Sequence, residues 1–341
     1  MHLKHAILAI AKAIGLFRTS KRLTAKKIRV LAYHGVWLGQ GHFGNFLYMS
    51  ADKFQHRMAL LKSWGYPVVS LNDALNNREN GNLPPCATVI TIDDGWYSTY
   101  LHIVPALKSH DYPATIYLTT YYCQNQAPVI DVALQYCFYA EQTATLYMPD
   151  YTLGPLPIGT PEEREIALKA ALGTANNLES DAQKQAFLEA LCGETGVNYG
   201  ALMSERWFHL MTPEEVKIAS ESGVTIELHT HHHRITHEGK DCLREELRLN
   251  GDVIRSITGQ DAMHFCYPSG KFSPGVWPTL SSTGIKSATT TDIGLVDGHS
   301  PAYALPRILD GQQVSDLEFE AEMSGFMDIT RQVRNIFRST T

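Results

Sequence analysis

The chain has 341 residues, 44% hydrophobic and 19% charged, with a formal net charge of −6. That supplies apolar material for a sizeable core, and the acidic balance argues against a nucleic-acid partner. No apolar run is long enough to span a bilayer. The six cysteines, at 86, 123, 137, 192, 242 and 266, show no Cys-x-x-Cys spacing, as reduced buried thiols in a cytosolic protein would.

Residues 1–27 are read as a separate amphipathic helix. Its apolar stretch, Ala6 to Leu16, is interrupted by Lys12 and followed by Arg18, Lys21 and Arg22, unlike the unbroken core of a secretory signal. Ile7, Ile10, Ala11 and Ile14 fall at helical spacing on one apolar side. The helix is expected either to pack on the barrel as an added layer or to make peripheral contact with the inner face of the cytoplasmic membrane, its Lys and Arg towards anionic lipid. The chain as a whole is placed in the cytoplasm.

From residue 28 strands and helices alternate. Ile28 to Ala32 reads as a strand, and Ser50 to Trp64 as a helix capped by Ser50 with a stripe of Phe54, Met58 and Leu61. Pro67 to Ser70 is a short strand, Leu71 to Asn76 a helix, Ala87 to Ile92 a strand, Tyr97 to Ser109 a helix and Ala114 to Thr119 a strand. This order predicts an α/β parallel barrel with its site at the C-terminal ends of the strands. From about 128 to 206 the alternation stops, and a helical insertion is expected, with helices at Glu162 to Leu172 and Asp181 to Cys192 and a loop around Pro155, Pro157 and Pro161. The barrel resumes with a helix begun by Thr212-Pro213, a strand Val224 to Leu228, a helix Cys242 to Thr258 and a strand His264 to Tyr267. The barrel domain is set at 28–312 and a helical tail at 313–341.

Two polar clusters end apolar strands: Thr91-Ile92-Asp93-Asp94-Gly95 and His229-Thr230-His231-His232-His233. A hydrolytic metal centre needs two or three side-chain ligands, an open position for water and a separate base. One carboxylate of the pair can bind metal while its neighbour serves as the base, and the turn at Gly95 can bring both into one pocket. His229 and His233, four apart, suit ligation on a helix or a tight loop. His233 and His237 share that spacing.

These segments resemble the polysaccharide deacetylase family, the NodB-homology or carbohydrate esterase 4 group. Thr91–Gly95 is similar to its first motif, T-F-D-D-G, with Ile for Phe, and His229-Thr230-x-x-His233 to its second, H-[S/T]-x-x-H. Phe265-Cys266-Tyr267-Pro268-Ser269-Gly270 resembles the third, and Leu305-Pro306-Arg307-Ile308 the closing segment. Val30-Leu31-Ala32-Tyr33-His34-Gly35-Val36 resembles the opening strand of the branch whose motif order is circularly shifted.

The resemblance implies a distorted (β/α) barrel of the NodB type and a metal-dependent hydrolase that removes an N-acetyl group from an N-acetylhexosamine of a saccharide or surface-glycan precursor. It implies Asp93 as general base and Asp94, His229 and His233 as ligands of a divalent metal, Zn²⁺ foremost, with Co²⁺, Ni²⁺ and Fe²⁺ compatible. It implies His34 as general acid, the backbone N–H near Ser269 as oxyanion donor, and Arg307 as the partner that orients Asp93. Two departures shape this assignment: Cys266 stands where older branches carry Arg, and their late Leu-x-His motif is missing after Arg307. Tyr267, Pro268 and Trp96 are candidate substrate contacts, the two aromatics alternatively packing residues. Other readings are a formamide or O-acetyl hydrolase on the same scaffold, a non-haem iron oxygenase sharing the two-His-one-carboxylate triad, and a saccharide-binding module without turnover.

Overall fold

A computed structural model of the chain describes residues 2–140, 143–235 and 240–339. His237 of the second His-x-x-x-His pair lies outside them. Seven parallel strands close into a barrel in sequential order: β1 (Arg29–Tyr33), β2 (Thr88–Asp94), β3 (Ala114–Leu118), β4 (Val224–Leu228), β5 (His264–Cys266), β6 (Ser287–Ile293) and β7 (Leu305–Leu309), which returns to pair with β1. β1, β2, β3 and β5 are buried along their whole length, as their continuous apolar runs require of strands covered on both faces. With every strand parallel, all C-terminal ends open on one mouth.

Helices return the chain between strands. Ala51–Ser63 is capped by Ser50, whose hydroxyl accepts the Lys53 N–H, and buries Phe54, Met58 and Leu61. Pro213–Glu221 starts with a capping box between Thr212 and Glu215, which satisfies two otherwise unpaired N–H groups. Pro67 to Ser70, expected as a strand, contributes only a single bridge from Val68 to Thr88.

The crossover from β3 to β4 carries the inserted lobe, with helices Ile130–Tyr139, Pro161–Asn176, Asp181–Thr195 and Tyr199–Ser204. Its proline-rich part is not a simple loop. Thr145–Met148 and Leu153–Pro157 pair antiparallel, and a two-stranded sheet is nearly all edge, where proline's missing N–H costs least. The lobe has its own core, in which Phe187, Leu188 and Leu191 join Trp37, Phe43, Tyr48 and Trp96 from the barrel side. The returning segment bonds Met211 N–H to Gly95 O and takes Tyr97 N–H on His209 O, so the lobe is fastened to the loop after β2.

The N-terminal region forms two helices, α1 (His2–Ala13) and α2 (Leu16–Leu23). α1 rests on the helix Asp316–Met323, the first of two that follow β7, rather than on barrel strands, through Leu8, Ala11, Leu317 and Ala321. Of the four residues expected on its apolar side only Ala11 is buried, while Ile7, Ile10 and Ile14 are exposed. Arg29, fully buried, ties the base of β1 to both ends of the chain by donating to Thr24 O and Met323 O. No disulfide forms among the described residues, and the Cys137 and Cys192 thiols lie 3.6 Å apart in the lobe core.

Candidate metal centre

β2 ends in the carboxylate pair. Asp93 keeps the extended strand, whereas Asp94 (φ +70°) and Gly95 (φ +88°) both take left-handed conformations. That reversal breaks the alternation of faces and lets both carboxylates reach one mouth. Gly95 has a second reason to lack a side chain, since a Cβ would sit 2.4 Å from Leu118 Cδ1. Thr230 (φ +64°), His233 (φ +55°) and Ser269 (φ +56°) are also left-handed, so several of the non-glycine residues held in this costly region sit at the site.

Asp94 Oδ1 lies 3.2 Å from His229 Nε2 and 3.2 Å from His233 Nε2. The His229 ring is set by its other nitrogen, as Nδ1 donates to Cys266 O at 2.8 Å. Burial opposes charge on the ring, but Cys266 and Asp94 outweigh it and raise its pKa well above the ordinary value, so Nε2 carries a proton towards Asp94 unless a cation takes the proton's place. A carboxylate oxygen and an imidazole lone pair at that separation repel unless a proton or a cation stands between them. Burial opposes charge on Asp94, but the two histidines reverse that and hold its carboxyl well below the usual range. The three ligand atoms lie within 4.8 Å of one another. Two imidazole nitrogens and one carboxylate oxygen form a donor set suited to a divalent first-row metal.

Asp93 is held apart from this set. Arg307, buried on β7, meets it with Nη1 to Oδ1 and Nη2 to Oδ2, each at 2.7 Å. The guanidinium is fixed in turn by Nε to Thr290 O and Nη1 to Thr91 Oγ1. Burial pushes the Asp93 carboxyl up, and the Arg307 charge and hydrogen bonds outweigh it, so its pKa lies below the ordinary value. Cys266 Sγ is 3.5 Å from Asp93 Oδ2, and His34 Nε2, just past the end of β1, is 3.7 Å from the same oxygen. Burial lowers the His34 pKa against the pull of Asp93 and Asp94.

Three expected substrate contacts are instead internal. Trp96 is 2% exposed and donates its indole N–H to Asp94 Oδ2 at 2.8 Å. Tyr267 is 1% exposed and donates to Tyr303 O, and Pro268 is buried beside it, while Ser269 is exposed. Sequence reasoning missed Asn250, which accepts the His229 N–H and donates to Leu118 O and Thr120 Oγ1. It also missed Glu246, which accepts from the His232 N–H and bonds its ring. His231 and His232 point to Thr120 and Glu246 rather than to the ligand set.

The fold is a NodB-type distorted (β/α) barrel with a carboxylate pair and two histidines at its mouth. The family model described as polysaccharide deacetylase matches residues 179–288, a span that contains His229, His233 and the Phe265–Gly270 segment. The chain is similar in structure to a Streptococcus pyogenes deacetylase, PplD, in complex with acetate (TM-score 0.58, 16% identity, 87% of this chain and 98% of that one). It is also similar to IcaB from Ammonifex degensii (0.55, 17%, 87% and 97%) and to a de-N-acetylase from Aggregatibacter actinomycetemcomitans (0.53, 17%, 87% and 99%). No curated protein sequence matches the chain. The family model thus covers about a third of the chain, and the solved structures, at 16–17% identity, share its fold.

Proposed function

We propose that this chain is a metal-dependent hydrolase that removes the N-acetyl group of an N-acetylhexosamine in a polysaccharide or its precursor. The observation that carries the reading is the division of labour within one carboxylate pair: Asp94 converges with His229 and His233, while Asp93, although it also lies near His229 and Cys266, has both oxygens engaged by Arg307. An oxygenase triad has no use for such a second carboxylate. The solved structures that share the fold include proteins described as a deacetylase with acetate and a de-N-acetylase, which supports the same class.

Asp94 Oδ1, His229 Nε2 and His233 Nε2 would hold the cation, with Trp96 fixing the other oxygen of Asp94. Bound there, a divalent metal supplies Lewis-acid chemistry, acidifying water and polarising an acyl oxygen. Asp93 takes the proton of the attacking water; its second oxygen, within 3.7 Å of His34 Nε2, is the natural relay point. His34, held neutral by burial at neutral pH, receives a proton during the cycle and delivers it to the departing nitrogen. The Ser269 N–H, in its left-handed turn after β5, meets the oxyanion. Acetate and the free amine leave.

The test is acetate release from a panel of N-acetylhexosamine compounds by metal-loaded protein, with formyl and O-acetyl analogues alongside. Acetate from an N-acetyl sugar, dependent on metal, is the expected result. Turnover of the formyl or O-acetyl compound alone would reassign the acyl group.

A further inference from the structure

The N-terminal helix α1 has two faces, and the fold uses one. Leu8 and Ala11 pack against Leu317 and Ala321, and Lys4 and Lys12 reach Glu318 and Glu320. On the other side Leu3, Ile7 and Ile10, with Ile14 in the turn just after the helix, are 76, 54, 62 and 68% exposed. Spacings of four, three and four residues put them in one stripe, and the exposed Ala6 and Ala13 fill in the same face. All charged side chains of α1 with described positions lie on the opposite side, so the outward face is wholly apolar. Single exposed apolar residues are ordinary, but a continuous ridge of large aliphatics held outward calls for an occupant.

Charge identifies that occupant. Before Asp52 the sequence contains eight Lys and Arg and no Asp or Glu, in a chain whose net charge is −6; five of the eight, Lys4, Lys12, Lys21, Lys27 and Arg29, are engaged within the fold. Arg18, Arg22 and Lys26, on and just after α2, are exposed. A second copy of this chain is disfavoured, because a two-fold contact would set these cations against their own copies. A negatively charged bilayer surface satisfies both the apolar ridge and the cations.

We propose that α1 and the basic residues adjoining it form a docking surface for an anionic phospholipid membrane. The Leu3, Ile7, Ile10 and Ile14 stripe inserts at the boundary between headgroups and acyl chains, and Arg18, Arg22 and Lys26 are drawn to lipid phosphates. The contact is peripheral: among the described residues no helix is long and apolar enough to cross a membrane.

The experiment is co-sedimentation of the full chain with vesicles of phosphatidylcholine alone or mixed with phosphatidylglycerol. The expected result is binding to the anionic vesicles that weakens with salt and falls at least tenfold in Ile7→Glu/Ile10→Glu, with a smaller loss in Leu3→Gln/Ile14→Gln. With each cation near an anionic surface contributing a factor of about five, Arg18→Gln/Arg22→Gln should bind roughly 25-fold more weakly. Since the substituted residues are exposed, the thermal midpoint should hold in all three variants. Absence of binding to either vesicle, binding that the variants leave unchanged, or a dimer in solution that Ile7→Glu/Ile10→Glu dissociates would each overturn the proposal.

Discussion

Arg307 grips Asp93 through both ends of its guanidinium, two parallel contacts of 2.7 Å between a residue of β7 and one at the end of β2. A lysine has one point of charge and cannot reproduce that fork. Arg307→Lys should therefore lower kcat by about 100-fold through misplacement of the base, with metal content unchanged. Arg307→Met should destabilise the fold by about 3–5 kcal/mol, because it strands a buried carboxylate. The double variant Arg307→Met/Asp93→Asn should recover most of that loss in a denaturant titration; no recovery would mean that the arginine acts through other contacts.

The two neighbouring aspartates should separate cleanly. Asp93→Asn is expected to keep the metal and abolish turnover, whereas Asp94→Asn and His233→Ala should lose both. Metal analysis after dialysis, run beside acetate release, distinguishes these outcomes. Metal loss in Asp93→Asn with retention in Asp94→Asn would exchange their roles.

Trp96 offers a subtler check. Its indole N–H is the hydrogen-bond donor on Asp94 Oδ2, and partners of this kind typically tune metal affinity by about 10–100-fold. Trp96→Phe should weaken metal binding to that extent while the fold persists. An unchanged affinity would reduce Trp96 to packing.

The docking of α1 carries a pH signature. Burial raises the Glu318 pKa, but Lys4 and Ser315 overcome this and bring it to about 2, against 4.5 when unperturbed. Because the folded state binds fewer protons in that window, this stabilisation is complete above about 4.5 and is lost as pH falls towards about 2. The gap in thermal midpoint between wild type and Glu318→Gln should therefore close progressively as pH is lowered through that range. A gap that stayed constant would assign Glu318 a role independent of its charge.

The barrel was readable where strands are continuous apolar runs, as in Val224–Leu228, and where helices carry explicit caps, as at Ser50 and Thr212. It was not readable in β6, whose Ala288-Thr289-Thr290-Thr291 run lacks a strong apolar signal. Nor was it readable in the lobe hairpin, where two prolines read as loop. The candidate ligand set was named from the resemblance carried by the two clusters, each of which follows a strand. The left-handed turns at Asp94 and His233 have no sequence signature in non-glycine residues. Asn250 reaches His229 from a helix 21 residues downstream, a contact that only the closed barrel creates. Trp96 and Tyr267 show the same limit from the other side: an aromatic next to a motif reads alike whether it faces substrate or core.

The most direct test of the central claim is acetate released from N-acetylhexosamine substrates by one protein preparation in three states: stripped of metal, reconstituted with Zn²⁺, and reconstituted as Asp93→Asn. Acetate only in the reconstituted wild type, with metal still bound in the variant, is the predicted result. Equal acetate release from the stripped protein, or undiminished release from Asp93→Asn, would contradict a metal-dependent hydrolase with Asp93 as its base.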